Sequence, residues 1–292
     1  MYDMGCEQGY KDLATPGIQN SIVVLFFGQP WVQNNVAGVL LHDTLMFKNT
    51  LQIQDALLEF ARGYWSCVGT EQSHIILAAG TNSQPPYTNY NQGHEWAEMV
   101  FNANQSLFST AYSSRVSISG SANMELGFNS VILTRAYVDG YNDFMYDPIY
   151  VVGYPIYNVG DAQGCFPFYG NCGSEAYPEW TQEDIWYISY GCEMCKALPM
   201  IYHVPVSAGL IHAQQWQQIS KYAVINHGSP IYFSGAFTQY QACQQRPENC
   251  EFLDNTPEDG YRQFYTVLYS DEDTRLTQYD LKWSSDIEWE GE

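Results

Sequence analysis

The segment Ser21-Ile-Val-Val-Leu-Phe-Phe-Gly28 limits what this chain can fold into more than any other. Its apolar residues follow one another with no polar residue at alternate positions. A strand written that way must be covered on both faces, which is the situation of a parallel sheet flanked by helices. Similar runs recur at His74-Ile-Ile-Leu-Ala-Ala-Gly80, Arg115-Val-Ser-Ile-Ser-Gly120, Ile149-Tyr-Val-Val-Gly-Tyr154, 197–204 and Pro230-Ile-Tyr-Phe-Ser234. Pro199 makes the fifth of these irregular or a strand start, because proline has no N–H to give a ladder.

Helical spacing separates the runs. Leu51, Ile53, Ala56, Leu57, Phe60 and Ala61 share one helix face, and Trp96, Met99, Val100, Ala103 and Leu107 share another. Further helices are expected over 131–141, after an N-cap at Thr181, over 212–224 and over 257–269. Strands alternating with helices predict an α/β fold with a parallel sheet. At 292 residues the expected form is one (β/α)8-type, TIM-like barrel domain spanning 1–292, irregular in places, with disulfide-held loops. An open parallel α/β sheet is the alternative. Residues 1–20 read as an N-terminal arm and 270–292 as an acidic C-terminal tail.

The cysteines bear on compartment. Cys165 and Cys172, Cys192 and Cys195, and Cys243 and Cys250 form tight local pairs, which leaves Cys6 to pair with Cys67. An even set of close pairs on an acidic, lysine-poor chain predicts disulfides and a secreted or extracellular protein, cell surface included. The Cys192–Cys195 spacing also occurs in metal and redox sites, but the gap from Cys165 to Cys172 fits structural zinc poorly. The sequon Asn104-Gln-Ser106 is compatible with secretion.

Charge narrows the partners. The chain carries 32 acidic residues against 11 lysines and arginines, a formal −21, so no basic stripe awaits a nucleic-acid backbone. No apolar run is long enough for a membrane helix, so membrane insertion is not expected. The Gly-rich phosphate motifs, a GxSxG elbow and an HExxH helix are all missing, and neither a metal nor another cofactor is called for.

In a barrel, chemistry collects at the strand C-terminal ends. The residues there are Gln29, Trp31, Asn82, Asn123, Tyr157, Asn158, Tyr202 and Gln239, with Glu125 and Asp161 the carboxylates just past the third and fourth runs. Rings stack on sugar faces while amides and carboxylates hydrogen-bond hydroxyls, so this surface suits a polysaccharide or cell-wall glycan. Glycoside hydrolysis needs two carboxyl groups across the scissile bond, and Glu125 with Asp161 is the candidate catalytic pair.

Several segments resemble a group of secreted bacterial proteins with a glycoside-hydrolase-like barrel. They are Ile22-Val-Val-Leu-Phe-Phe-Gly-Gln-Pro30, Phe60-Ala-Arg-Gly-Tyr-Trp65, Ala79-Gly-Thr-Asn82, Tyr157-Asn-Val-Gly-Asp-Ala-Gln-Gly-Cys165, Asp184-Ile-Trp-Tyr-Ile-Ser-Tyr-Gly191 and Leu198-Pro-Met-Ile-Tyr202. The resemblance implies the barrel and a carbohydrate-directed role, and it carries over no catalytic residue. Acidic residues are common in that group where this chain has Phe26, Asn123 and Gln163. An amide stores no proton, so these positions support the competing expectation: a non-catalytic extracellular binding or structural protein of a cell-surface assembly. Its tyrosine content is compatible with self-association.

Overall fold

A computed structural model describes residues 1–42, 44–69, 72–146, 153–162, 164–165, 172–173, 177–202, 206–246, 250, 255–275 and 281–289. The first apolar run becomes β1 (Asn20–Phe26), and its neighbours in space are β5 (His74–Asn82) on one side and β10 (Lys282–Glu288) on the other. Beyond β5 lie β6 (Val116–Asn123), β7 (Ile156–Asn158) and β8 (Cys195–Ala197), while β9 (Gly235–Thr238) flanks β10. All seven strands of this sheet run parallel, in the order β8-β7-β6-β5-β1-β10-β9.

The sheet curls into a half-barrel with two hydrophobic layers. Ile22, Val24, Phe26, Ala78, Tyr157, Leu198, Met200 and Phe237 fill its concave side. Val23, Leu25, Leu77, Ala79 and Ile118 face the other way, against the helices. Period-two alternation along β1 thus sends both halves of the run into a core, and six successive residues, Ile22 to Phe27, are buried.

The eight-stranded closed barrel is corrected to seven strands, and the open parallel sheet is the form they fit. β7 and β8 have only three residues each. Past β8, Pro199 cannot donate to a ladder, and a single parallel bridge joins Met200 to Phe237. The Phe237 N–H donates to Pro199 O at 2.8 Å and the Ile201 N–H to Phe237 O at 2.7 Å, so the two edges meet there.

The helices start where short polar side chains cap them. α2 (Thr50–Cys67) opens on a capping box of Asn49 and Gln52, α3 (Tyr90–Phe108) on Asn89, and α4 (Val131–Met145) on Ser130. α5 (Gln182–Trp186) begins at the expected N-cap Thr181 and passes directly into a π-helical turn. α6 (Val206–His227), α7 (Tyr240–Gln245) and α8 (Pro257–Tyr269) complete the second half.

Several expectations shift. The N-terminal arm is a helix, α1 (Tyr2–Ala14), lying on α2 and tied to it by Cys6–Cys67. The acidic C-terminal tail instead supplies β10, a strand paired on both sides, between β1 and β9. Residues 230–234 are not a strand, since the ladder begins at Gly235. The strand expected over 149–154 falls largely outside the described residues, and the observed strand is β7. A second, antiparallel sheet of β2 (Gln29–Gln33), β3 (Val36–Leu40) and β4 (Phe47–Asn49) sits over the exit of β1. Its hairpin turns at Asn34 and Asn35, both with positive φ (52° and 61°), the signature of a type I′ turn.

All four expected disulfides form: Cys6–Cys67, Cys165–Cys172, Cys192–Cys195 and Cys243–Cys250. Disulfides persist in oxidising compartments. Among the described residues no helix is long and apolar enough to cross a membrane.

Asn104 is not a glycan acceptor in this fold. It is buried on α3, donating to Val100 O (2.9 Å) and Ile118 O (2.7 Å) and accepting from the Ile118 N–H (3.0 Å). Asn104→Ala strands two backbone groups of β6, and we expect a stability loss of about 2 kcal/mol in urea unfolding. Expressed through a glycosylating secretory route, the protein is expected to show no added mass at Asn104.

Candidate functional site

The C-terminal ends of the parallel strands lie on one side of the curled sheet, and the geometry there starts from Asn158. This last residue of β7 is fully buried. Its Oδ1 accepts from the Gly160 N–H (2.9 Å) and the Met124 N–H (3.3 Å), and its Nδ2 donates to Ser189 Oγ (2.8 Å). One carboxamide therefore clamps the exits of β6 and β7. Gly160 allows the close approach: a Cβ there would lie 2.7 Å from Met124 O. The Val159 N–H donates to Ala122 O at 3.0 Å, which holds the two exits in step.

The clamp brings together the expected catalytic pair. Glu125 follows Met124, and Asp161, itself buried, follows Gly160. Burial first, and then the negative charge of Asp161, push the Glu125 carboxyl from its ordinary 4.5 up to about 8, against a hydrogen bond from the Asn123 side chain. Tyr202, just past the bridge between β8 and β9, donates to Asp161 Oδ2 at 3.4 Å. Burial and the charges of Asp161 and Glu125 hold its phenol well above the usual tyrosine range. The result is a carboxyl group, Glu125, that holds its proton above the ordinary range beside a second acid that meets a phenol.

The other expected residues divide. Asn123 lies in register with Asn82 at the ends of β6 and β5, and its Oδ1 is buried without a hydrogen-bond partner. Tyr157 is part of the concave core, where burial raises its phenol to about 12. Asn82 Oδ1 accepts from the Gln84 N–H, shaping the turn after β5. Gln239 follows β9, one residue past the pair Thr238–Ser285. Asn158 gives its carboxamide to the Met124 and Gly160 N–H groups and to Ser189 Oγ. Gln29 and Trp31 belong to the separate small sheet: Gln29 Nε2 donates to Pro85 O at 2.7 Å, and Trp31 meets Tyr87 edge-on at 4.8 Å. They form a wall with the loop after β5. Gln163 lies outside the described residues.

Two further carboxyl groups come from the segment expected as a tail. β1 and β10 pair Val24 with Asp286 and Phe26 with Glu288, and since Val24 and Phe26 face the concave side, so do the two acids. Asp286 is buried, its Oδ1 has no hydrogen-bond partner, and burial followed by the charge of Glu288 raises its carboxyl well above the ordinary range. Glu288 forms an ion pair with Arg246. The signal in the sequence was Trp283, Ser285 and Ile287 alternating with Ser284, Asp286 and Glu288, a strand whose concave face is polar.

Among the described residues no cluster of His, Cys, Asp or Glu has the makings of a metal site. No family model, curated protein or solved structure matches this chain.

Proposed function

We propose that this chain is a secreted, glycoside-hydrolase-like protein acting on a polysaccharide or cell-wall glycan, with Glu125 as proton donor and Asp161 as its ionised partner. One observation carries the reading: the Asn158 clamp sets Glu125 and Asp161 at neighbouring strand exits, where burial and then the Asp161 charge push the Glu125 carboxyl up to about 8. Cleaving a glycosidic bond needs a proton on the departing oxygen and a negative group, or a water it activates, at the anomeric carbon. Glu125 fits the first task. Asp161, oriented by Tyr202, fits the second. Asn123 hydrogen-bonds the acid from the next layer of the concave face. The barrel-like resemblance of the sequence and the four disulfides point the same way.

A second reading is a non-catalytic extracellular binding or structural protein. It is favoured by Phe26 and Asn123, neutral side chains at the ends of β1 and β6. Sugar release from a panel of plant and bacterial cell-wall glycans, measured for wild type and Glu125→Gln, separates the two. Release that disappears with Glu125→Gln supports the hydrolase. Equal release by both proteins removes Glu125 from the chemistry, and glycan binding without release favours the second reading.

A further inference from the structure

In a parallel sheet with helices over its convex face, the outer residues of a central strand are covered. Trp283 breaks that rule: it lies near the start of β10, which is paired on both sides, by β1 and by the edge strand β9, yet 39% of it is open to solvent. The opening belongs to a groove of about 450 Å³ that runs along β1 and β10 between α1 on one side and α7 with the start of α8 on the other. That volume lies within the roughly 300–1,000 Å³ of small-ligand sites. Neither Glu125, Asp161 nor Tyr202 lines it.

We propose that this groove is a second, non-catalytic binding site for a neutral, hydroxyl-rich ligand, a short saccharide segment. Its floor is Val23, Ile287 and the Trp283 ring, and its walls carry five glutamines: Gln8, Gln19, Gln241, Gln244 and Gln245. Carboxamides donate and accept at once, which is what vicinal hydroxyls require, and an indole offers an apolar face to a sugar ring. Gln19 is held by Pro16 O and Gly17 O and Gln245 by both backbone groups of Glu288, so the exposed Gln244 is the carboxamide that reaches a ligand. The polar wall is built in advance. Tyr64 donates to Asp12 Oδ2 (2.8 Å), Gln8 to Asp12 Oδ1 (2.9 Å), and Gln241 to Gln8 Oε1 (2.9 Å), while the Gln241 N–H meets Ser285 Oγ (3.0 Å). This chain of hydrogen bonds fixes α1, α7 and β10 around the groove. The Ser21 hydroxyl, also in the lining, is buried with no partner.

Charge selects against other ligands. Lys11, the groove's one cation among the lining residues, is engaged by Glu7 at 3.3 Å. An anionic ligand would also meet a chain of formal charge −21. The site is independent of the hydrolase reading, since it would hold a glycan whether or not the strand ends cleave one.

Calorimetric titration with hexasaccharides of glucose, xylose and N-acetylglucosamine tests it, in a Glu125→Gln background so that no ligand is consumed. At least one oligosaccharide is expected to bind, and Trp283→Ala and Gln244→Ala are each expected to weaken that binding about tenfold. Gln244 stands exposed on α7, so its variant keeps the test meaningful should Trp283→Ala disturb the strand. Binding of none of the sugars, or binding that neither substitution weakens, overturns the proposal. Loss of sugar release with Glu125→Gln tests the hydrolase separately.

Discussion

Glu125→Gln is expected to lower glycan turnover by roughly 10²- to 10⁴-fold, the usual contribution of a positioned general acid. The amide keeps the shape and the hydrogen bond to Asn123 but has no proton to give. Two pH effects accompany the loss and separate chemistry from damage. The wild-type rate needs the protonated acid, so it falls as pH rises through about 8, the value to which burial and Asp161 push this carboxyl. Stability moves as well. A carboxyl whose folded value lies above its unfolded value favours the folded state most below the unfolded value, near 4.5, and that contribution is lost as pH rises through about 8. Glutamine does not ionise. The variant should therefore melt at a higher temperature than wild type at pH 8, with the gap closing toward pH 4.5. An inactive variant that is also less stable at pH 8 would show that the substitution disturbed the fold rather than removed an acid.

The strands that sequence reasoning located well are those buried on both faces. β1, β5 and β6 are written in apolar or small residues, and only a parallel position hides both sides of such a run. Helices with a capping residue were equally legible, α8 most clearly, since Thr256 and Pro257 mark its start. β10 was missed because its concave face is Ser284, Asp286 and Glu288 rather than hydrocarbon. Acids on that face hide the strand from a hydropathy reading, because an apolar run is what marks a strand covered on both sides. β9 was placed too early because Ile231 and Phe233 point into the helix layer, while the ladder is made by Gly235 to Thr238. The small sheet of β2, β3 and β4 announced itself only through Asn34-Asn35, a turn pair without the usual glycine.

The site was legible to the same degree. Glu125 and Asp161 could be paired because neighbouring parallel strands deliver their exits side by side, a consequence of topology alone. Gln29 and Trp31 stand on the antiparallel sheet because the chain after β1 turns at once into it instead of a helix. Asp286 needed the register of β10, and register is not written in composition.

Asn158 tests whether the clamp sets the electrostatics of the pair. Asn158→Ala leaves the Met124 and Gly160 N–H groups and the Ser189 hydroxyl without their partner in a fully buried place. At about 1–3 kcal/mol for each backbone group left unpaired, the loss should reach about 3–5 kcal/mol, seen as a lower urea midpoint. The exits of β6 and β7 would then relax apart, admitting water around Glu125 and weakening the effect of Asp161. Both changes lower the Glu125 pKa, so the high-pH limb of activity should move below about 8. Asn158→Asp acts oppositely. Its carboxylate can still accept from both N–H groups and from the Ser189 hydroxyl, so the exits stay clamped while a second negative charge is fixed beside the pair. The Glu125 proton is then held more tightly, and the same limb should move above about 8. Opposite displacements from one position require that the clamp and the charge act separately on Glu125. Limbs that move together, or that stay at the wild-type position in both variants, would mean that the pKa of Glu125 is set elsewhere and that Asn158 only holds the fold.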